Sequence, residues 1–239
     1  MNITIHPKKL RGTVNVIPSK SQAHRYLICA ALSDNETELI CPETNRDMDA
    51  TADCLRALGA KIERTDWGYR VTPISKAPET AVLPSRDSGS TLRFLLPVVG
   101  ALGVDATFQM EGRLPQRPLS PLWEEMERMG CRLSRPTADT IRCEGQLRPG
   151  AYTIPGNISS QYITGLLLGL SLLDGSSSIK IPLNLDIAWR SVISAAFDEL
   201  RRGIHPEFPE GLPGHGNIGL RFQLAGDFDG AASVEKTQP

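Results

Sequence analysis

Lys20 and Arg25 stand five residues apart at the head of the apolar run Tyr26-Leu27-Ile28-Cys29-Ala30-Ala31-Leu32, just after Pro18-Ser19. A turn-forming proline and hydroxyl residues ahead of such a run predict a helix N-terminus, where unpaired N–H groups and the positive end of the helix dipole attract anions. With Ser21 between them, the two cations could grip one ligand from the loop and from the first helical turn. Taken alone, the same residues fit a serine-capped helix with solvated basic side chains.

The arrangement occurs three times. Asp87-Ser88-Gly89-Ser90-Thr91 opens a second apolar segment, and Asn157-Ile158-Ser159-Ser160-Gln161 opens a third. The spacing is about 70 residues each time, a period that signals internal repetition. A second marker recurs with it: amphipathic stretches that stop at Gly59, Gly130 and Gly203 and pass into polar, hairpin-like segments. Glycine just past a helix takes the left-handed conformation cheaply. The chain therefore reads as three copies of one unit: strand, buried helix with a hydroxyl-rich start, strand, amphipathic helix closed by glycine, and two strands.

The second and third units carry further chemistry. Gly89 has no side chain to keep a ligand from the backbone N–H groups, as in a phosphate cradle. Arg93 lies in the first turn of an otherwise apolar helix, where a buried guanidinium needs a carboxylate or phosphate partner. Arg113 and Arg117 lie in a loop restrained by Pro115 and Pro118. Their planar forks match carboxylate and phosphate oxygens, although a solvated loop would also explain them. Ser159, Ser160 and Gln161 offer neutral donors and acceptors suited to a hydroxylated or phosphorylated small molecule, or to helix capping.

The elements that position these residues begin with strands at 2–6 and 12–17, the latter feeding the Lys20 loop, and continue with a strand at 38–41. Asp47 and Asp49 then form the acidic first turn of a helix through Cys54 to Leu58. A metal reading of those two carboxylates lacks further ligands. At 239 residues the chain can bury a sizeable core, and a formal net charge of −1 gives no broad attraction to nucleic acid. The five cysteines, Cys29, Cys41, Cys54, Cys131 and Cys143, are odd in number and lack C-x-x-C spacing, so reduced core thiols in a cytoplasmic protein are expected. The longest apolar run, near Leu166 to Leu173, is interrupted by Gly169 and Ser171 and is too short to span a membrane.

Pro18-Ser19-Lys20-Ser21 with Arg25, then Asp87-Ser88-Gly89-Ser90-Thr91-Leu92-Arg93, then Arg113 with Gln116-Arg117-Pro118, then Ser159-Ser160-Gln161-Tyr162, resemble in order and spacing the N-terminal half of 5-enolpyruvylshikimate-3-phosphate synthases, over about residues 1 to 183. The resemblance implies an α/β fold of three β-α-β-α-β-β repeats around a pseudo-threefold axis with buried parallel helices. The repeats would fall at about 15–80, 81–150 and 151–230. Residues 1–14 would form a strand of the other half, and 231–239 a tail. It implies transfer of the carboxyvinyl group of phosphoenolpyruvate to the 5-hydroxyl of shikimate 3-phosphate by addition and elimination, in the shikimate pathway, without a cofactor or metal.

By the same resemblance, Lys20 would contact both substrates and take part in proton transfer, while Ser21 and Arg25 hold shikimate 3-phosphate. Gly89 and Arg117 would bind phosphoenolpyruvate, with Ser90, Arg93 and Arg113 in support. Ser159, Ser160 and Gln161 would grip the phosphate and ring of the shikimate, Gln161 also lying near phosphoenolpyruvate. Partners would be small anions, with no nucleic acid and no membrane, in a monomer unless a complementary C-terminal half joins it. The family's Ser-x-Pro-Tyr segment is replaced by Asn184-Leu185-Asp186-Ile187-Ala188-Trp189-Arg190-Ser191, and its second half, with the proposed general base and acid, is missing before Pro239. The chain alone is thus expected to bind shikimate 3-phosphate but turn over poorly or not at all, with its first strand loosely held or differently packed. Two other readings stay open: a relative of UDP-N-acetylglucosamine enolpyruvyl transferase, though its usual Lys-Asn and loop Cys are absent, and a non-catalytic anion-binding module.

Overall fold

The computed structural model describes residues 19–182 and the backbone of two later strands, 219–224 and 231–237. The expected strands at 2–6 and 12–17, Pro18, the segment 184–191, the helix ending at Gly203 and the end of the tail lie outside the described residues. Within them the order is α1 (Lys20–Leu32), β1 (Thr37–Ile40), α2 (Arg46–Ala57), β2 (Lys61–Thr65), β3 (Gly68–Thr72), β4 (Thr80–Arg86), α3 (Gly89–Leu102) and β5 (Asp105–Met110). A 3-10 turn (Leu114–Gln116), α4 (Leu122–Arg128), β6 (Cys131–Ser134), β7 (Thr140–Gly145), β8 (Ala151–Thr153), α5 (Ser160–Leu170), β9 (Ser177–Lys180), β10 (Gly219–Leu224) and β11 (Ala231–Thr237) follow.

The strands form three sheets, ordered β1-β3-β2, β4-β5-β7-β6 and β8-β9-β11-β10. The last two share order and polarity, with a parallel pair (β4 with β5, β8 with β9) followed by antiparallel neighbours. Parallel neighbours need a crossover, and α3 and α5 supply it. These two helices are apolar nearly all round: eleven of fourteen residues in α3 and nine of eleven in α5 are buried. A helix of that kind belongs inside a core rather than on its face. By contrast, α2 buries Met48, Ala52, Cys54 and Leu55 on one side and leaves Arg56 half in water. The helices α2 and α4 end as expected, with Gly59 at φ +105° and Gly130 at φ +117°. All five cysteines are buried free thiols.

What brings α3 against α5 is a pair of glycines. Gly165 and Gly169 lie four residues apart and so share one face of α5. A methyl group on Gly165 would lie 2.2 Å from the Arg93 carbonyl oxygen, and one on Gly169 would lie 2.6 Å from that of Pro97. Pro97 sits inside α3 and has no N–H, so the Arg93 carbonyl four residues earlier loses its helical donor. The two helices therefore touch backbone to backbone where α3 has a carbonyl without its i+4 helical donor.

Gly165→Ala is expected to force α5 off α3, lowering stability by about 1–3 kcal/mol as overpacked cores do. Urea unfolding of the full chain measures it. Gly89→Ala is the control: its added methyl would meet only the movable ends of Arg93 and Arg117, so the midpoint should stay near wild type.

Candidate functional site

Three serines begin the buried helices. Ser19 Oγ accepts from the Gln22 N–H at 3.4 Å, Ser88 Oγ from the Thr91 N–H at 3.3 Å, and Ser159 Oγ from the Gln161 N–H at 3.3 Å. Each hydroxyl satisfies one of the donors a helix start leaves open, and the rest point outward.

Lys20 is the first residue of α1, and its Nζ donates to Asp47 Oδ2 at 2.8 Å. Asp47 is held in turn at the start of α2, where Asn45 Oδ1 accepts from the N–H groups of Asp47 and Met48. Arg25 lies one turn further along α1 and is only 6% exposed. Its Nη1 donates to the Ser21 carbonyl at 2.7 Å and to the Ser21 hydroxyl, and its Nη2 donates to Thr164 Oγ1 on α5 at 3.3 Å. The guanidinium also stacks on Phe94 of α3, 5.1 Å from the ring centre. Arg25 thus joins α1 to both other buried helices.

At the start of α3, Gly89 lies beneath two guanidinium groups. The place where its methyl group would be is 2.6 Å from Arg93 Nη1 and 3.1 Å from Arg117 Nη1. No described residue supplies the carboxylate or phosphate partner expected for Arg93. Its Nη1 donates to the neutral Gln161 Oε1 at 3.0 Å, its Nη2 approaches the Pro118 carbonyl at 3.5 Å, and its Nε is buried without a partner. No carboxylate among the described residues pairs with Arg93 or Arg117. Two like charges at a positive helix end favour an anion between them.

The start of α5 completes the group. Gln161 Nε2 donates to Ser90 Oγ at 2.9 Å, so one amide bridges Ser90 and Arg93. Ser159 caps the helix, and Ser160 follows it half-buried. Arg113 is exposed before the 3-10 turn and makes no side-chain hydrogen bond or ion pair to a described residue. The contacts fall in three groups: Lys20 with Asp47, Ser21 with Arg25, and Ser90 and Arg93 with Gln161 beside Gly89 and Arg117; Arg113 enters none of them. Open concavities of about 280 and 450 Å3, around Arg142 and around Trp123, lie apart from them. No group of three or more His, Cys, Asp or Glu able to hold a metal ion occurs among the described residues.

Sequence reasoning missed a buried hydroxyl chain behind these helix ends. His24 Nδ1 lies 2.7 Å from Thr51 Oγ1, Thr51 Oγ1 lies 2.7 Å from Thr91 Oγ1, and Thr91 Oγ1 lies 2.7 Å from Ser88 Oγ. It ties α1 and α2 to the residue that caps α3. The one local clue is that His24 falls four residues after Lys20, on the same helical face. Arg86, at φ +52° just before the Gly89 loop, was missed as well, and its Nη2 reaches Asp53 Oδ2 at 2.5 Å.

A family model described as EPSP synthase (3-phosphoshikimate 1-carboxyvinyltransferase) matches residues 5–188. The 3-phosphoshikimate 1-carboxyvinyltransferase of Clostridium beijerinckii is 37% identical over 194 residues, covering 77% of this chain and 45% of that relative. The chain thus spans about half the length of the curated relatives it matches. Among solved structures, an EPSP synthase from Acinetobacter baumannii aligns with a TM-score of 0.67 at 20% identity, covering 93% of this chain and 46% of that one. The enolpyruvyl transferase NikO from Streptomyces tendae aligns at 0.60 and 17% identity, over 95% and 49%. At identities this low the superpositions establish a shared mixed α/β fold and no more.

Burial pushes His24 down to about 4; Asp47 opposes the shift, while Lys20 and Arg25 add to it. An imidazolium would bury a second N–H with nothing to accept it, since Nε2 has no partner. The unfolded chain takes the proton first, so stability present above pH 6.5 is lost as pH falls towards 4. Between pH 7.5 and 5 the loss from this group is roughly 2 kcal/mol. Urea unfolding at both pH values should show His24→Asn losing correspondingly less than wild type. Equal losses would mean that another group titrates.

Proposed function

The chain belongs to the EPSP synthase family, and on that premise we propose that it forms one half of an enzyme that transfers the carboxyvinyl group of phosphoenolpyruvate to the 5-hydroxyl of shikimate 3-phosphate. The observation that carries the reading is Arg93 and Arg117 over Gly89 with no carboxylate of the described chain between them. Phosphoenolpyruvate supplies what that place lacks, a compact anion that both guanidinium forks and the open N–H groups of α3 can share.

On this reading Gln161, already bonded to Ser90 and Arg93, lies between the two ligands. Ser21, Arg25, Ser159 and Ser160 line the shikimate 3-phosphate side with Lys20, and Arg113 supports the phosphoenolpyruvate side by its charge alone. Lys20 contacts both ligands. In the addition step the 5-hydroxyl gives up its proton as its oxygen bonds to C2 of phosphoenolpyruvate, and the C2–C3 double bond becomes single as C3 gains a proton. In the elimination step C3 loses a proton, phosphate leaves C2 and the double bond re-forms. Lys20 is the proton carrier assigned on this reading. Its ion pair with Asp47 joins side chains 51% and 31% exposed, and such pairs contribute about 0–1 kcal/mol, so a phosphate can displace the carboxylate.

The fold supports a finer reading too. The repeats at about 15–80, 81–150 and 151–230 are three turns around a pseudo-threefold axis, as the shared strand order of the second and third sheets suggests. Among the described residues, the three strands of the first sheet repeat the order of the last three of the second. Water exclusion and the remaining acid–base groups are assigned to a complementary half, so binding, rather than turnover, is what this chain can be asked for alone.

Calorimetric titration of the chain with shikimate 3-phosphate should give heat, and titration with UDP-N-acetylglucosamine should give none. Lys20→Ala, at an exposed position, should weaken shikimate 3-phosphate about tenfold or more, the contribution of one charge-assisted hydrogen bond. Arg117→Ala and Gly89→Ala should weaken phosphoenolpyruvate instead. No heat with either substrate, or heat only with the UDP-sugar, overturns the reading.

A further inference from the structure

Arg117 makes no side-chain hydrogen bond or ion pair to a described residue, so its distance from Arg93 is set by the path of its loop. The backbone there is only lightly held: the Gln116 N–H donates to the Arg113 carbonyl at 3.2 Å, and the Arg117 N–H to the Leu114 carbonyl at 3.1 Å. Both bonds lie inside the turn and fix its shape, not its place. Its place is held at one end by buried Leu114 and by Arg135 Nη1, which donates to the Pro115 carbonyl at 3.3 Å, and at the other by buried Leu119 and the Pro118 carbonyl, which accepts from the Tyr162 hydroxyl at 2.8 Å and more weakly from Arg93 Nη2 at 3.5 Å. Of these three bonds the one from Tyr162 is the shortest, and it falls on the residue next to Arg117.

Tyr162 can act this way because it is 1% exposed and follows Gln161 directly on α5. Successive residues on a helix point in different directions. Gln161 turns to α3 and holds Arg93, while Tyr162 turns to the loop and holds the carbonyl beside Arg117. The ring also lies near the Arg93 guanidinium, 5.8 Å from its centre. Two adjacent side chains of α5 thus control the two guanidinium groups that meet over Gly89.

We infer that Tyr162 is a positioning residue for the anion site: its hydroxyl tethers the Arg113 to Pro118 loop to α5 and so sets where Arg117 meets Arg93. This rests on the proposed role of those arginines, and its test separates the two. Tyr162→Phe keeps the ring and removes one O–H. Phosphoenolpyruvate binding should weaken roughly three- to tenfold, the range for one lost hydrogen bond, while shikimate 3-phosphate binding stays unchanged. A merely structural defect would not split the two ligands. In an Arg117→Ala background the same change should add nothing, because the tether acts through Arg117.

A second readout needs no ligand. Leu114 is buried, so trypsin reaches the Arg113–Leu114 bond only when the loop opens. Y162F should be cut there severalfold faster than wild type, with cleavage elsewhere unaltered. Unchanged cleavage overturns the tether, and so does an equal further loss of phosphoenolpyruvate affinity in the Arg117→Ala background. If the wild-type chain binds neither anion, the proposed function fails, and the cleavage comparison still decides the tether.

Discussion

The contact on which the rest depends is the backbone approach of α5 to α3 at Gly165 and Gly169. Any side chain at Gly165 would overlap the Arg93 carbonyl, and with the helices further apart Gln161 would not span Ser90 and Arg93. That carbonyl is exposed to the contact because Pro97 removed its donor. The same local disturbance of α3 that weakens the helix gives α5 a polar surface to lie on. Burial of Leu92, Leu95, Leu96, Leu166 and Leu167 around it supplies the driving force.

The charges at the helix starts divide into three kinds. Arg25 is locked in the core by Ser21, Thr164 and Phe94, so its charge works as a joint among helices. Lys20 carries an exposed and exchangeable carboxylate partner. Arg93 and Arg117 lie close to each other with no carboxylate partner among the described residues. Unbalanced charge over a helix N-terminus lowers stability, and proteins keep such arrangements where function draws on them. The hydroxyl chain from His24 to Ser88 stiffens the ground beneath, because each hydroxyl is buried and partnered.

Much of this could be read from the sequence. Ser19, Ser88 and Ser159 announced three buried helices because a cap is a local signal, and Gly59 and Gly130 marked two helix ends for the same reason. Arg117 stood out by its proline-restrained loop. What stayed hidden needed partners far away in the chain: Asp47 for Lys20, Thr164 for Arg25, Thr91 for Thr51, Pro118 for Tyr162. Local patterning carries no information about which hydroxyl meets which across 40 or more residues. Gly169 shows the point from the other side. As sequence it merely interrupts an apolar run, whereas in the fold it is half of the surface that seats α5 on α3.

On the proposed function, the contrast between Lys20 and the arginine pair bears on how each of two anions would be held. A ligand phosphate at Lys20 must displace Asp47, but an exposed ion pair is worth about 0–1 kcal/mol and a charge-assisted hydrogen bond about 1.5–3, so the exchange is favourable. The displaced carboxylate also stays near, since Asn45 holds its backbone at the start of α2. An anion over Gly89 displaces nothing and relieves repulsion between Arg93 and Arg117. The first site therefore answers to whatever moves Asp47, whereas the second answers to whatever moves the Arg117 loop. Because α5 holds that loop through Tyr162 and α3 through Gln161, the geometry of the second site follows from the seating of one helix.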